Sequence, residues 1–229
     1  MEYWIAGFVF LAIMAYEFYK YQRTKQAWSS FAMNNDLTYK PGGILSNFRV
    51  DGTYRGHDIA VYVEKRGSSK NRRTYTVYET RLSTDIPAGL ELYDESLFSK
   101  LGKIFGGEDI QVGRSRLDGA FIIKGMNPEA ICRFLDDDRV ERALIDLHSF
   151  ESDVEIEHGK LKIEHRRVSR DIHRIETYLG ELLDCADVVD ERTADYDRTS
   201  HLDSETTEEA GFEEAEENRD EEIDYVAEW

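Results

Sequence analysis

The side chains that most often carry metal or acid–base chemistry are scattered along this chain. His165 and His173 are eight residues apart with Asp171 between them, which is not the HExxH spacing of a zinc site. The acidic triplet 136–138 lacks the spaced oxygens of a calcium loop, so we expect it to cap and solvate a helix. Neither cysteine and no serine has a recognisable base nearby in the sequence. We therefore predict no enzyme, no catalytic residue, no cofactor and no metal site.

Basic residues are concentrated in one predicted hairpin loop. The cluster, named here the hairpin cluster, consists of Lys65, Arg66, Lys70, Arg72 and Arg73. Anionic lipid headgroups attract such residues by about 1 kcal/mol each near a surface. We predict contact with a membrane surface or an acidic partner; a solvated hairpin tip is the alternative.

The last seven residues, IDYVAEW, place large rings after an acidic spacer. Aromatic rings bury much area at low entropic cost when they enter a groove. Tyr225, Val226 and Trp229 are therefore predicted to form a partner-binding motif, named here the terminal motif. A tail that only solvates or spaces is the alternative.

The N-terminal stretch Tyr3–Tyr19 is apolar apart from Glu17, and three basic residues follow within six positions. A membrane-spanning helix needs roughly 20 apolar residues, and aromatic residues at both ends favour the headgroup layers. We predict a single transmembrane anchor, with the N-terminus outside and the following domain cytoplasmic. Two alternatives are less consistent with this stretch. A cleaved signal peptide would begin with a basic n-region, which is missing here, and a buried core helix would rarely be apolar on all sides.

Charge divides the rest of the chain. Residues 190–229 contain 17 acidic and 3 basic residues, a charge of −14 out of −18 for the whole chain. High charge with low hydrophobicity predicts a disordered tail. The sequence lacks the basic face that nucleic-acid binding requires, so we predict no nucleic-acid partner. The two cysteines do not indicate a disulfide framework. The predicted parts are an anchor and basic flank (1–27), a cytoplasmic domain (28–189) and the acidic tail (190–229).

Within the domain, alternating apolar residues predict strands, and apolar residues at helical spacing predict helices. Predicted strands lie near residues 37–40, 48–55, 57–65, 75–82, 89–93, 109–112, 120–124, 153–157 and 160–165. Helices are predicted over 21–34, after Asp94, after Asn127, from Asp138, and from a Ser169 cap to Val189. Strands and helices without regular alternation predict an α+β fold with a mainly antiparallel sheet packed by a few helices.

Three segments together have a familiar pattern: FGGEDIQVG (105–113), FIIKGMNPEA (121–130) and DRVERALIDL (138–147). They resemble a poorly characterised prokaryotic domain family, in which many members pair an N-terminal membrane segment with one α+β domain. The resemblance implies that architecture and no catalytic residues.

These features predict a membrane-tethered cytoplasmic scaffold that recruits an unidentified protein partner to the inner face of the bilayer. The alternative is a membrane-anchored domain that binds a small apolar or lipid-like ligand. Its pocket would be lined by Tyr62, Tyr75 and Tyr78 together with Leu179 and Leu182. The sequence leaves the oligomeric state open.

Overall fold

The computed structural model describes residues 2–43, 47–68, 71–82, 86–94 and 109–194, with the side chains of the first helix described from Gly7 onward. The helix predicted after Asp94, Lys70 of the hairpin cluster, and the predicted tail from residue 195 lie outside the described residues.

In the described part of the chain, eight strands form one sheet with the order β1-β2-β3-β4-β8-β7-β5-β6, and every neighbouring pair is antiparallel. The predicted α+β fold with a mainly antiparallel sheet is confirmed. The strands are β1 (Thr38–Lys40), β2 (Arg49–Tyr54), β3 (His57–Arg66), β4 (Arg73–Arg81), β5 (Glu91–Asp94), β6 (Phe121–Lys124), β7 (Val154–Glu157) and β8 (Lys160–Arg166).

The two-residue turn between β7 and β8 follows from its sequence. His158 and Gly159 have φ values of +52° and +70°, and a type I′ hairpin turn requires positive φ at both central residues. Glycine takes this conformation without steric cost. The turn fixes the register in which Glu157 lies opposite Lys160.

Five helices are described: α1 (Glu2–Asn34), α2 (Ser115–Ala120), α3 (Pro128–Leu135), α4 (Asp138–Phe150) and α5 (172–194). The predicted start of α3 is confirmed, because the Asn127 side chain accepts a hydrogen bond from Ala130 N. Helix α2 was not predicted. Residues 109–112 were predicted as a strand, but they form none. They lie beside β6, where Ile110 N donates to the Ile123 carbonyl at 2.8 Å and Ile123 N donates to Asp109 Oδ1 at 2.9 Å.

The start of α5 differs from the prediction. Asp171, rather than Ser169, caps the helix, since its carboxylate accepts a hydrogen bond from His173 N at 3.1 Å. Ser169 is fully buried instead. The helix also extends past Val189 to residue 194, the last described, and Thr193 is buried.

The helices cover one face of the sheet and share a single apolar core with it. Val61, Tyr78 and Ile163 face inward from three adjacent strands, where they meet Phe31 of α1 and Leu179 of α5. The opposite face is charged. There the Lys162 ammonium lies 2.5 Å from the Glu155 carboxylate, which is the usual division of a one-sided antiparallel sheet.

Neither cysteine forms a disulfide in the structure. Burial, assisted by the charge of Asp146, raises the pKa of the Cys185 thiol to about 12. The thiolate is therefore not populated near neutral pH, and the residue packs as a small apolar side chain.

The transmembrane prediction is not supported. Within the described part of the chain, no helix has the length of apolar sequence that a membrane crossing requires. Glu17, Lys20 and Arg23 interrupt α1, and each charged side chain is costly in hydrocarbon.

Candidate membrane-docking site

The N-terminal part of α1 is apolar apart from Glu17 and is exposed on all sides. Every residue from Gly7 to Tyr19 is exposed, including Phe8 at 76%, Leu11 at 67% and Phe18 at 64% of their surface. Thirteen helical residues extend about 20 Å at 1.5 Å each. Contiguous apolar surface of this size marks an interaction site for protein or lipid. We name residues 7–19 the apolar segment.

The C-terminal part of the same helix is docked on the domain. Trp28, Phe31 and Ala32 are buried, and the Phe31 ring lies 6.0 Å from that of Tyr54. These residues form one face of the helix, as the sequence predicts, whereas the apolar segment has no polar face of its own. The docked part therefore holds the apolar segment away from the core.

Charged and aromatic side chains mark the boundary between the two parts. Glu17 and Lys20 form an ion pair, and the Lys20 ammonium lies 4.7 Å from the centre of the Tyr16 ring. The Tyr21 hydroxyl donates to the Gly42 carbonyl at 2.8 Å, which ties this turn of α1 to the domain.

The structure brings only part of the hairpin cluster to this boundary. Lys65 lines a cavity of about 270 Å³ together with Lys20 and Tyr21 of α1. Arg72 and Arg73 are exposed at the hairpin end.

Arg66 faces the other side of the sheet, because strand residues alternate. Its guanidinium lies 2.6 Å from the Glu164 carboxylate and 2.7 Å from that of Glu64. These two partners, Glu64 most strongly, raise its pKa further above the usual range. Arg66 is therefore bound within the sheet rather than available to lipid.

A second cavity, of about 480 Å³, contains basic residues that the sequence interpretation missed. It lies between α1 and the connection from β8 to α5, and its lining includes Arg167, Arg170 and Arg174. The signal was the segment RRVSRDIHR (166–174), with four arginines in nine residues. The apolar pattern of this region predicts only the strand 160–165 and the helix that begins at Ser169, and it does not indicate a basic cavity.

The pocket predicted for an apolar ligand is wrong in its residues. Tyr78 is buried beside Leu179 and Leu182 in the core. Tyr62 and Tyr75 lie on the opposite face of the sheet from Tyr78, because successive residues of a strand alternate between the two faces. Tyr62 is paired with Val77, the residue next to Tyr78, and Tyr75, paired with Arg166, lies three residues before Tyr78 in the same strand. The terminal motif (Tyr225, Val226 and Trp229) lies outside the described residues.

The acidic triplet 136–138 has a definable role. Asp137 caps α4 by accepting from Arg139 N at 2.7 Å, while Asp136 and Asp138 pair with Arg114, as expected for capping and solvation. Burial opposes the charge of Asp137, but hydrogen bonds from Arg139 hold the pKa of this carboxyl below its usual range.

Another cluster was not predicted. Glu91, Glu157 and His158 each place one possible metal-ligating atom within 4.8 Å of the others. Glu91 and Glu157 belong to adjacent strands, and His158 is an exposed turn residue. Acidic groups often gather in this way at a surface without a metal, and the cluster carries no functional assignment here.

No family model matches the chain, and no curated protein matches it. Among solved structures, the crystal structure of the mycobacterial trehalose monomycolate transport factor A, TtfA, matches with 12% sequence identity and a TM-score of 0.49. The match covers 72% of this chain and 94% of that chain. A similarity at this level carries no inference about function.

Proposed function

We propose that this protein is a membrane-docked interaction domain that recruits a protein partner to the cytoplasmic face of a bilayer. The apolar segment is embedded in lipid, and the α+β domain stands at the surface. The cytoplasmic face is favoured because its anionic lipids attract basic residues at the boundary of α1.

One observation carries this proposal: an exposed apolar helix end projects from a domain into which the other end of the same helix is packed. Phe10 and Met14 are 66% and 56% exposed, whereas Trp28 and Phe31 of the same helix are fully buried. Lipid is a fitting environment for a helix end that is apolar on all sides, because the backbone is satisfied within the helix. The aromatic and basic residues at its base suit the headgroup layer.

The recruiting role assigns partner contact to the far end of the chain. An anionic leaflet repels the acidic residues of the C-terminal region. The terminal motif would then be presented to a cytoplasmic partner, and tethering would raise the local concentration of that partner. The charge of −14 in residues 190–229 supports this arrangement.

The test is vesicle co-sedimentation of the full chain with phosphatidylcholine. Phe10→Asp combined with Met14→Asp should weaken binding by more than about tenfold, because each side chain contributes roughly 1.5–3 kcal/mol on burial. Met33→Asp is the matched control, since Met33 is 74% exposed near the domain end of the same helix.

Urea unfolding of both variants keeps the comparison interpretable, since substitutions at exposed positions should change stability by less than about 0.5 kcal/mol. Wild-type vesicle binding that survives the double substitution, or is lost equally in M33D, would reject lipid insertion of the apolar segment.

A further inference from the structure

We propose that the 480 Å³ cavity at the base of α1 binds the phosphate of an anionic lipid headgroup. This inference rests on the proposed function, because the lipid must lie beside the apolar segment. The cavity volume is within the range of about 300–1,000 Å³ typical of small-molecule sites. Its lining consists of Tyr16, Tyr19, Lys20, Arg23, Arg167, Val168, Arg170, Asp171 and Arg174.

The charge of this cavity is opposite to that of the chain. Among the described residues, five basic side chains and one acidic side chain line it, whereas the whole chain carries −18. The one acidic side chain, Asp171, already accepts the capping hydrogen bond of α5 from His173 N. The cavity therefore presents a surplus of cations to a bound anion.

Most of these cations have no carboxylate partner. Across the described ranges, no salt bridge involves Arg23, Arg167, Arg170 or Arg174. By contrast, the single guanidinium of Arg114, outside the cavity, pairs with three carboxylates, those of Asp136, Asp138 and Glu141. Clustered like charges repel one another, and a bound anion relieves that repulsion. Guanidinium groups suit phosphate because they donate two parallel hydrogen bonds to its oxygens.

The connection that carries Arg167 and Arg170 is held in place before any ligand binds. The carbonyl of Ser169 accepts a hydrogen bond from Trp28 Nε1 at 2.8 Å, which joins it to α1. Thr76 Oγ1 donates to the Arg167 carbonyl at 2.8 Å and accepts from Ser169 N at 2.9 Å, which joins it to β4.

Arg167 also has a φ of +140°, which L-residues rarely adopt. Strained backbone of this kind is often found at binding sites, where the surrounding structure maintains it. A preorganised connection reduces the entropy lost on binding.

The depth of the cavity matches the headgroup layer. Lys20 directly follows the apolar segment, and Arg23 lies about 4.5 Å further along the helix axis. The polar layer on each side of a bilayer is roughly 5–8 Å thick. Tyr16 and Tyr19, which line the cavity from the segment side, place their rings at the boundary that aromatic residues favour. A phosphate at this depth would belong to a lipid whose acyl chains lie beside the apolar segment.

The experiment compares full-length protein on phosphatidylcholine vesicles with and without phosphatidylglycerol. The wild type should bind the anionic vesicles more tightly, and Arg170→Gln with Arg174→Gln should reduce that preference about 30-fold. This factor corresponds to about 1 kcal/mol for each basic residue. Binding to neutral vesicles should not change.

Arg81→Gln with Arg142→Gln is the matched control, because it removes the same charge from exposed positions outside the cavity lining. Equal losses in the two double variants would overturn the site in favour of general electrostatic attraction. Loss of binding to neutral vesicles in F10D/M14D tests the proposed function separately.

A second arm separates lipid from free phosphate. Calorimetric titration of lipid-free protein with glycerol 3-phosphate should show weak binding that R170Q/R174Q removes. Tight binding of inorganic phosphate combined with no preference for anionic vesicles would overturn the lipid assignment.

Discussion

At the scale of single residues, Ser169 has the most unexpected role. Sequence spacing predicted a helix cap, but the residue joins α1, β4 and the start of α5. Its hydroxyl lies 2.8 Å from that of Tyr78, and both side chains are fully buried. Burial, only partly offset by the hydrogen bond with Ser169, raises the pKa of Tyr78 above its usual range, so the Tyr78 hydroxyl stays protonated near neutral pH. The stability of such a buried pair depends on both hydroxyls. If one is removed, the other loses its hydrogen bond and cannot replace it with a bond to water.

A double-mutant cycle tests this pair. Ser169→Ala and Tyr78→Phe should each lower the free energy of unfolding by about 1–3 kcal/mol, because each leaves one buried hydroxyl unsatisfied. The double variant should lose less than the sum, since no hydroxyl remains. Urea denaturation measures all four proteins, and additive losses would contradict a direct bond.

At the scale of elements, the same residue type has opposite effects in different places. Gly159 occupies a positive-φ turn position with open space around its Cα, whereas Gly180 lies within α5, also with open space. A side chain at Gly159 would be unfavourable only because of the left-handed backbone conformation there. A side chain at Gly180 would be favourable, because other residues have a higher helix propensity than glycine. Local backbone conformation, rather than packing, decides both cases.

Alanine at each glycine should therefore give changes of opposite sign. Gly159→Ala should destabilise the protein by about 1–2 kcal/mol, and Gly180→Ala should stabilise it by about 0.5–1 kcal/mol. Thermal and urea unfolding of the two variants measure the changes. A stabilising G159A would show that the β7–β8 turn does not need the left-handed conformation.

At the scale of the whole molecule, charge is arranged along one direction in the proposed orientation. Basic residues surround the base of α1 beside the start of α5, and the acidic sequence 190–229 begins in the last turns of α5. An anionic surface would attract the first and repel the second. This arrangement would direct the terminal motif away from lipid and towards the cytoplasm.

The terminal motif can be tested as a peptide. A peptide of residues 220–229 should capture a protein partner from lysate, and full-length protein should compete for it. Tyr225→Ala with Trp229→Ala should remove that capture, because aromatic anchors commonly dominate such interfaces. Glu222→Gln with Glu228→Gln is the control for charge. Identical capture by the aromatic double variant would reject the motif.

The sequence by itself determined most elements whose pattern is local. The β7–β8 hairpin, the Asn127 cap and the buried face of Trp28 and Phe31 follow from turn chemistry, capping and helical period, and all are confirmed. The missed helix α2 is short, and short segments carry too few residues to show a period.

Only the tertiary structure decided which distant residues meet. Side chains of β3 alternate between the two faces of the sheet, so Lys65 points towards α1 and Arg66 towards the charged face. The sequence alone does not show which of these two adjacent basic residues faces α1. Ser169, 141 residues from Trp28 in sequence, lies against it through a hydrogen bond, and this contact brings Arg167 and Arg170 beside α1. Local sequence encodes periods and turns, whereas such contacts follow from packing the whole core. The cavity at the base of α1 therefore belongs to the fold rather than to any one segment.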